Sequence, residues 1–301
     1  MKVINGLNQI KKYRRPVIAL GVFDGVHVGH QKILKAAADK ARAIKGTSIV
    51  ITFWPHPQKE ESLISLEHRL RLIKELGINV CIVLNFSQKF SAISADDFIK
   101  NILAKKLGVN YLYVGRNFRF GRGARGDFRL LQKLSLSYCF RLELFPVVKI
   151  NRQPVSSTQI RALIKKGKLK AAERLLGRPV GIFGTIIKGA AVARVLGFPT
   201  ANIDPHHEVI PPSGVYAVKV VFNNKNFSGV CNIGTQPTFM RTGERHIEVH
   251  IFNFHRNIYG KNLELQFLRK IRNERKFTST ALLIREIKKD VSLAKAITSR
   301  H

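Results

Sequence analysis

The stretch "GVFDGVHVGHQ", Gly21 to Gln31, joins the apolar run "PVIAL" to a segment in which Ile33, Leu34, Ala37, Ala41 and Ile44 recur at helical spacing. A strand that ends in a glycine-spaced turn and passes directly into a helix is the first half of a strand–helix–strand unit. The alternation continues through "TSIVITF", "NVCIVLNF", "NYLYVG" and "LELFPVVKI", which read as strands. Between them lie helical patterns carrying Leu66, Leu70, Ile73 and Leu76, and then Phe98, Ile102 and Leu107. Such alternation predicts an α/β domain with a parallel sheet covered on both faces. The short helices "SSTQIRALIKKG" and "KLKAAERLLG" are expected to close it.

Beyond "RPVG" the period changes. "GIFGTIIKG", "GVYAVKVVFN", "KNFSGVCNIG", "HIEVHIFNF" and "NLELQFLRKI" are short alternating runs punctuated by Gly, Asn and Pro. Only "STALLIREIKKDVSLAKAI" returns to helical spacing. The expectation is therefore an α/β domain over residues 1–180 and, over 181–301, a small antiparallel β-barrel with a terminal helix.

Composition narrows the setting. A 301-residue chain with 45% hydrophobic residues can bury full-sized cores. The apolar "PVIALGVF" is too short to span a membrane, and no signal-like leader precedes it, so a cytoplasmic location with no membrane partner is expected. Cys81, Cys139 and Cys231 show no metal-ligand spacing and are odd in number, which fits reduced structural thiols. The formal charge of +33 attracts polyanions of any kind, nucleotides and nucleic acid included, although a general basic bias accounts for it equally well.

The turn at 21–31 sits where an open parallel sheet binds ligands, outside a strand's carboxyl end and at the next helix's N-terminus. Gly21 and Gly29 permit close backbone approach, the helix end favours an anion, and His27 and His30 are donors for phosphate oxygens. The turn resembles the HxGH signature of nucleotidyltransferases. With its flanks it is similar to the bacterial bifunctional riboflavin kinase and FAD synthetase family. "TFWPHP" (Thr52–Pro57), "VGRNFRFGRGARGD" (Val114–Asp127), "SSTQIR" (Ser156–Arg161) and "LLGRPV" resemble further family motifs in order. "LGFPTANI" (Leu196–Ile203), "NIGTQPTF", "IEVHIFNF", "IYGK" and "IRNERKF" extend the likeness along nearly the whole chain.

For the first half the resemblance implies a Rossmann-like nucleotidyltransferase domain that moves AMP from ATP onto FMN, giving FAD and pyrophosphate. His27 and His30 match the catalytic histidines, with Gly21, Phe23, Asp24 and Gly29 in the nucleotide-binding turn. Asp24 is an organiser of the turn or a simple Asx-turn residue. Ser156, Ser157, Thr158 and Arg161 form a second phosphate clamp or a plain N-cap. His56 is a flavin or nucleotide contact or part of a buried loop. Phe118 and Phe120 are expected to stack on a flat ring, although aromatic residues alternating with Arg119 and Arg122 also suit single-stranded RNA. The family's usual aspartate is replaced by Asn117.

For the second half the resemblance implies transfer of the ATP γ-phosphate to riboflavin. Glu248 matches the catalytic base, whereas its place in an alternating strand also fits an exposed outer-face acid. Thr200 and Asn202 match the residues that hold Mg²⁺ and phosphates, and Gly184 and Gly189 are expected in a loop folding over ATP. Ala193 stands where the family has glycine, and Arg272 matches an arginine near the flavin. The leading expectation is both activities, with ATP, riboflavin and FMN as substrates and Mg²⁺ as cofactor. An FAD synthetase with weakened kinase activity, or an RNA-binding protein on this scaffold, are the alternatives. Oligomeric state is left open.

Overall fold

The structure, a computed structural model, describes residues 1–57, 61–189, 196–235 and 245–300. Ala193 and Arg194 lie outside the described residues. The chain divides into two compact units, 1–62 with 66–157, and 63–65 with 158–301.

The first unit is a six-stranded sheet of β1 (Lys2–Asn5), β2 (Pro16–Leu20), β3 (Thr47–Trp54), β4 (Val80–Asn85), β5 (Tyr111–Gly115) and β6 (Arg141–Phe145), in the order β1-β4-β3-β2-β5-β6. Every neighbouring pair is parallel. All five residues of β2 are buried, as a central parallel strand covered on both faces requires. Helix α1 (Val28–Ala43) packs Ile33, Leu34, Ala37 and Ala41 inward, the expected face. Next come α2 (Leu66–Glu75), the one-turn α3 (Gln88–Ser91), α4 (Ala95–Asp97), a π-helical segment Phe98–Lys106, and α5 (Phe128–Ser137). The chain leaves β2 toward β3 and β4, then crosses to β5 and β6, so the strand order reverses beside β2. Ligands of open α/β sheets bind at such a switch point, and the 21–31 turn occupies it.

Some elements depart from expectation. β1 is an edge strand with Ile4 as its one buried residue, so its four positions show no period. "LELFPVVKI" breaks at Pro146 into β6 and a hairpin of β7 (Lys149–Ile150) and β8 (Gln153–Pro154), turned by left-handed Asn151 and Arg152. α2 buries His68, Arg69, Leu72 and Ile73, with Leu66 and Leu70 only half-buried. Helix α6 (Ser157–Lys165) begins at the division between the units, and α7 (Leu169–Leu176) packs on strands of the second.

The second unit is a closed barrel of β9 (Val180–Ile187), β10 (Ala201–Asp204), β11 (Gly214–Phe222), β12 (Lys225–Thr235), β13 (Arg245–Ile251) and β14 (Asn262–Arg272), all antiparallel, ordered β10-β13-β12-β11-β14-β9 and shut by β9–β10 pairing. Inward and outward positions alternate along β9 and β13. Asn223 and Asn224, both left-handed, make the tight β11–β12 turn. Helix α8 (Thr280–Thr298), capped by Ser279, buries Ala294 and Ile297 against Val215, Ala217, Val230 and Leu268. Gly184 is not in a loop: it lies within β9, paired with Leu263, where a side chain would collide with the Asp204 carbonyl across the closure. Buried Cys81 and Cys231 are free thiols, and burial pushes Cys81 up to about 12 and raises Cys231 as well, which keeps both protonated.

Candidate active sites

The turn after β2 is held in an unusual conformation. Phe23 (φ 54°), Gly25 (φ 76°) and Val26 (φ 40°) are left-handed, and for a β-branched valine that is costly. A lattice of hydrogen bonds maintains it. Thr52 Oγ1 donates to the Val22 carbonyl (2.7 Å), Gln31 Nε2 to the Val26 carbonyl (2.9 Å), and Ser157 Oγ to the Asp24 carbonyl (2.9 Å). Below the turn lies Arg69, wholly buried on α2 and paired with Asp24 at 3.5 Å. Burial pushes the Arg69 guanidinium below its ordinary pKa, and Asp24 acts the other way.

His27 is the N-cap of α1, its Nδ1 accepting the His30 N–H at 3.3 Å. That bond places the His27 proton on Nε2 in the neutral ring. The His27 and His30 rings stack with centroids 3.6 Å apart, and Phe23 meets His30 edge-on. Gly29 makes room for this, since a Cβ there would stand 3.1 Å from the His27 ring, and a Cβ on Gly21 would press on Phe23. The structure thus brings Gly21, Phe23, Asp24, His27, Gly29, His30 and Ser157 into one assembly.

The other expected residues of this half lie outside that assembly. Ser156 and Thr158 are exposed at the start of α6, and Arg161 is buried on the same helix in the second unit. His56 is buried just after β3. Asn117 is exposed in the loop after β5, the parallel neighbour of β2, so that loop leaves from the same sheet edge as the turn. Phe120 is a core residue packed on Phe98, with Phe118 stacked parallel on it, leaving Phe118 as the half-exposed ring. Arg119 pairs with Asp127 at 3.1 Å, and the Leu130 N–H together with Arg119 holds the Asp127 carboxyl below its usual range.

In the barrel, Glu248 of β13 stands in register with Asn202 of β10 on one side and Asn232 of β12 on the other. Glu248 and Asn232 line a cavity of about 340 Å³ that also takes in Thr200, Arg272 and Phe277. Thr200 also borders a second cavity of about 520 Å³, formed with Ile186, Pro199 and the 254–259 segment. Burial raises the Glu248 pKa, opposed by nearby His246. A side chain on Gly189 would collide with the Asn202 amide, so that amide is packed against bare backbone. Arg272 is committed to α8: Nε and Nη2 reach the Asp290 carboxylate at 3.0 and 2.8 Å, and its guanidinium lies over Phe277.

Sequence reading alone did not single out Arg69, Asn232, His250 or Phe277. His250 Nδ1 donates to the Pro199 carbonyl (2.8 Å) and steadies the segment carrying Thr200. Asn232 had a signal in the register of neighbouring strands, whereas Arg69 looked like any basic residue on an amphipathic helix.

The two halves match two family models in tandem: residues 9–159 match one described as FAD synthetase, and 176–298 one described as riboflavin kinase. The chain is 36% identical to the bifunctional riboflavin kinase/FMN adenylyltransferase of Buchnera aphidicola subsp. Schizaphis graminum, covering 98% of both chains. The chain belongs to the bifunctional riboflavin kinase/FMN adenylyltransferase family. Other members of that family, from Haemophilus influenzae and Escherichia coli K12, are 38% and 35% identical over 98% and 96% of this chain. A crystal structure described as a macrolide-efflux protein from Streptococcus pneumoniae superposes with a TM-score of 0.82 at 29% identity, covering 96% of this chain and 97% of its own, so that fold is shared at full length. Among the described residues of this family member, no helix is long and apolar enough to cross a membrane.

Proposed function

We propose that the chain performs both activities for which its family is named, phosphorylating riboflavin to FMN in the barrel and adenylylating FMN to FAD in the parallel-sheet unit. The observation that carries this is the coincidence of each family match with a built site: the histidine assembly within 9–159, and the Glu248 cavity within 176–298.

In the barrel, the flavin occupies the cavity holding Phe277 and Glu248, and the nucleotide the cavity across Thr200. Glu248 takes the proton of the terminal ribityl hydroxyl as its oxygen bonds to the γ-phosphorus and ADP departs. A base with a raised pKa suits this step near neutrality. The hydroxyl of Thr200 and the amide of Asn202 are hard oxygen donors fit to hold Mg²⁺, which when bound supplies charge neutralisation for the phosphates. Among the described residues no cluster of three His, Cys, Asp or Glu side chains suits a metal, so a Mg²⁺ ion at this site draws its anionic ligands from the nucleotide.

In the first unit, an FMN phosphate oxygen attacks the α-phosphorus of ATP and pyrophosphate leaves. The attacking group is already anionic, so His27, His30 and the start of α1 serve to orient and to stabilise charge. Ser156 extends the phosphate-binding surface, and Phe118 with Asn117 and His56 contact the flavin. The assigned location is the cytoplasm, where ATP is available.

Chromatography of the flavins formed by the purified chain with ATP and Mg²⁺ tests the proposal. Starting from riboflavin, FMN then FAD is expected. FAD formed only from supplied FMN would withdraw the kinase assignment, and no product from either flavin would withdraw both.

A further inference from the structure

We infer that Arg69 is a positioning residue for adenylyl transfer, setting the histidine turn and the end of β3 in one geometry through a single guanidinium. The inference rests on the adenylyltransferase reading of the first unit. Arg69 is 0% exposed, so it touches neither solvent nor substrate and acts only through what it holds. Its Nη1 donates to the Val22 carbonyl at 3.0 Å and to the Phe53 carbonyl at 3.1 Å, and lies 3.4 Å from Thr52 Oγ1. Nη2 stands 3.5 Å from Asp24 Oδ1, a carboxylate whose side chain is 2% exposed.

These partners lie on the two segments that frame the site. Val22 immediately precedes the left-handed run at Phe23, Gly25 and Val26 that aims His27 and His30. Phe53 immediately precedes Trp54, whose ring the guanidinium also faces at 5.4 Å, at the entry to the loop carrying His56. A turn held in left-handed geometry needs outside contacts to keep it there. A planar fork with fixed donor directions supplies several at once and fixes the spacing between the segments. Lysine, with one compact ammonium on a flexible stem, preserves the charge and loses the spacing. The Asp24 contact balances the buried charge, and the carbonyl contacts set the shape.

Steady-state kinetics on the full-length chain separate these roles. Arg69→Lys is expected to lower kcat for FMN adenylylation about a hundredfold, the usual cost of displacing catalytic groups by an ångström. KM for ATP and FMN should change far less, with FMN formation from riboflavin unaltered. The double variant Arg69→Met/Asp24→Asn removes both charges and should stay equally slow. Recovery there would make Arg69 a charge-balancing residue and overturn the inference, as would an unchanged kcat in Arg69→Lys. If Arg69→Lys leaves the first unit unfolded, Thr52→Val decides. It removes the hydroxyl that links Arg69 to the Val22 carbonyl with little change of shape, and about a tenfold fall in kcat is expected for that lost contact. An unchanged kcat in Thr52→Val overturns the inference. Failure of the unsubstituted chain to make FAD from FMN would instead remove the reading beneath it.

Discussion

Glu248, the proposed base, shows how a strand position acquires a base's surroundings. The alternation of β13 turns it toward the cavity between Asn202 and Asn232, and partial burial raises its pKa. Glu248→Gln should therefore stop FMN formation, by at least the hundredfold typical of a lost general base, while FAD still forms from added FMN. The pH profile gives a finer check. The base works deprotonated, so kinase activity is lost as pH falls through its raised pKa. His246 pulls that pKa down, so His246→Gln should move the acid limb of kcat/KM to higher pH; a shift to lower pH would mean another group controls that limb. The individual candidates were legible because they stood in ordered motifs. Arg69 was not, because burial of a cation is a property of the packed helix face and leaves no mark in "LEHRLRLIKE".

The terminal helix is tied to the barrel by charge as well as by its apolar stripe. Asp290, nearly buried on α8, grips Arg272 at the end of β14, and Glu286 on the same helix pairs with Arg275. Asp290→Ala would leave the Arg272 guanidinium, beside the cavity proposed for flavin, with the more distant Glu286 at 3.9 Å as its remaining carboxylate. A loss of about 3 kcal/mol in barrel stability is expected, read from denaturant unfolding, with weaker riboflavin binding. Strands long enough to show a sustained apolar run or an alternation, such as β3, β11 and β14, could be read directly from the sequence. Short ones could not: β1 offers a single buried residue, and β10 shows in the sequence only as part of the motif "LGFPTANI". The apolar spacing of Leu66, Leu70, Ile73 and Leu76 marked α2 as a helix, but of these Ile73 alone is buried, beside His68, Arg69 and Leu72, whose burial the spacing does not show.

The net charge of +33 belongs to the chain as a whole. With Phe120 in the core, the arginine-rich loop has fewer free ring faces for unstacked bases than its sequence implies. Binding to single-stranded RNA should accordingly be a counterion effect, falling about a thousandfold between ~50 and ~200 mM salt in a titration. Affinity that survives at the higher salt would reveal a dedicated nucleic-acid surface.

The barrel closes through its shortest strand. β10 has four residues, bonds to β9 and to β13, and bears Asn202 just after Thr200. The clasp of the ring is therefore the place where nucleotide and metal are proposed to sit. A ring opens first at its briefest seam, and a ligand bridging the seam fastens it. Nucleotide bound at the proposed site should therefore slow amide hydrogen exchange in β10 more than in the longer strands, and equal protection of all six strands would show that the clasp gains nothing from the ligand.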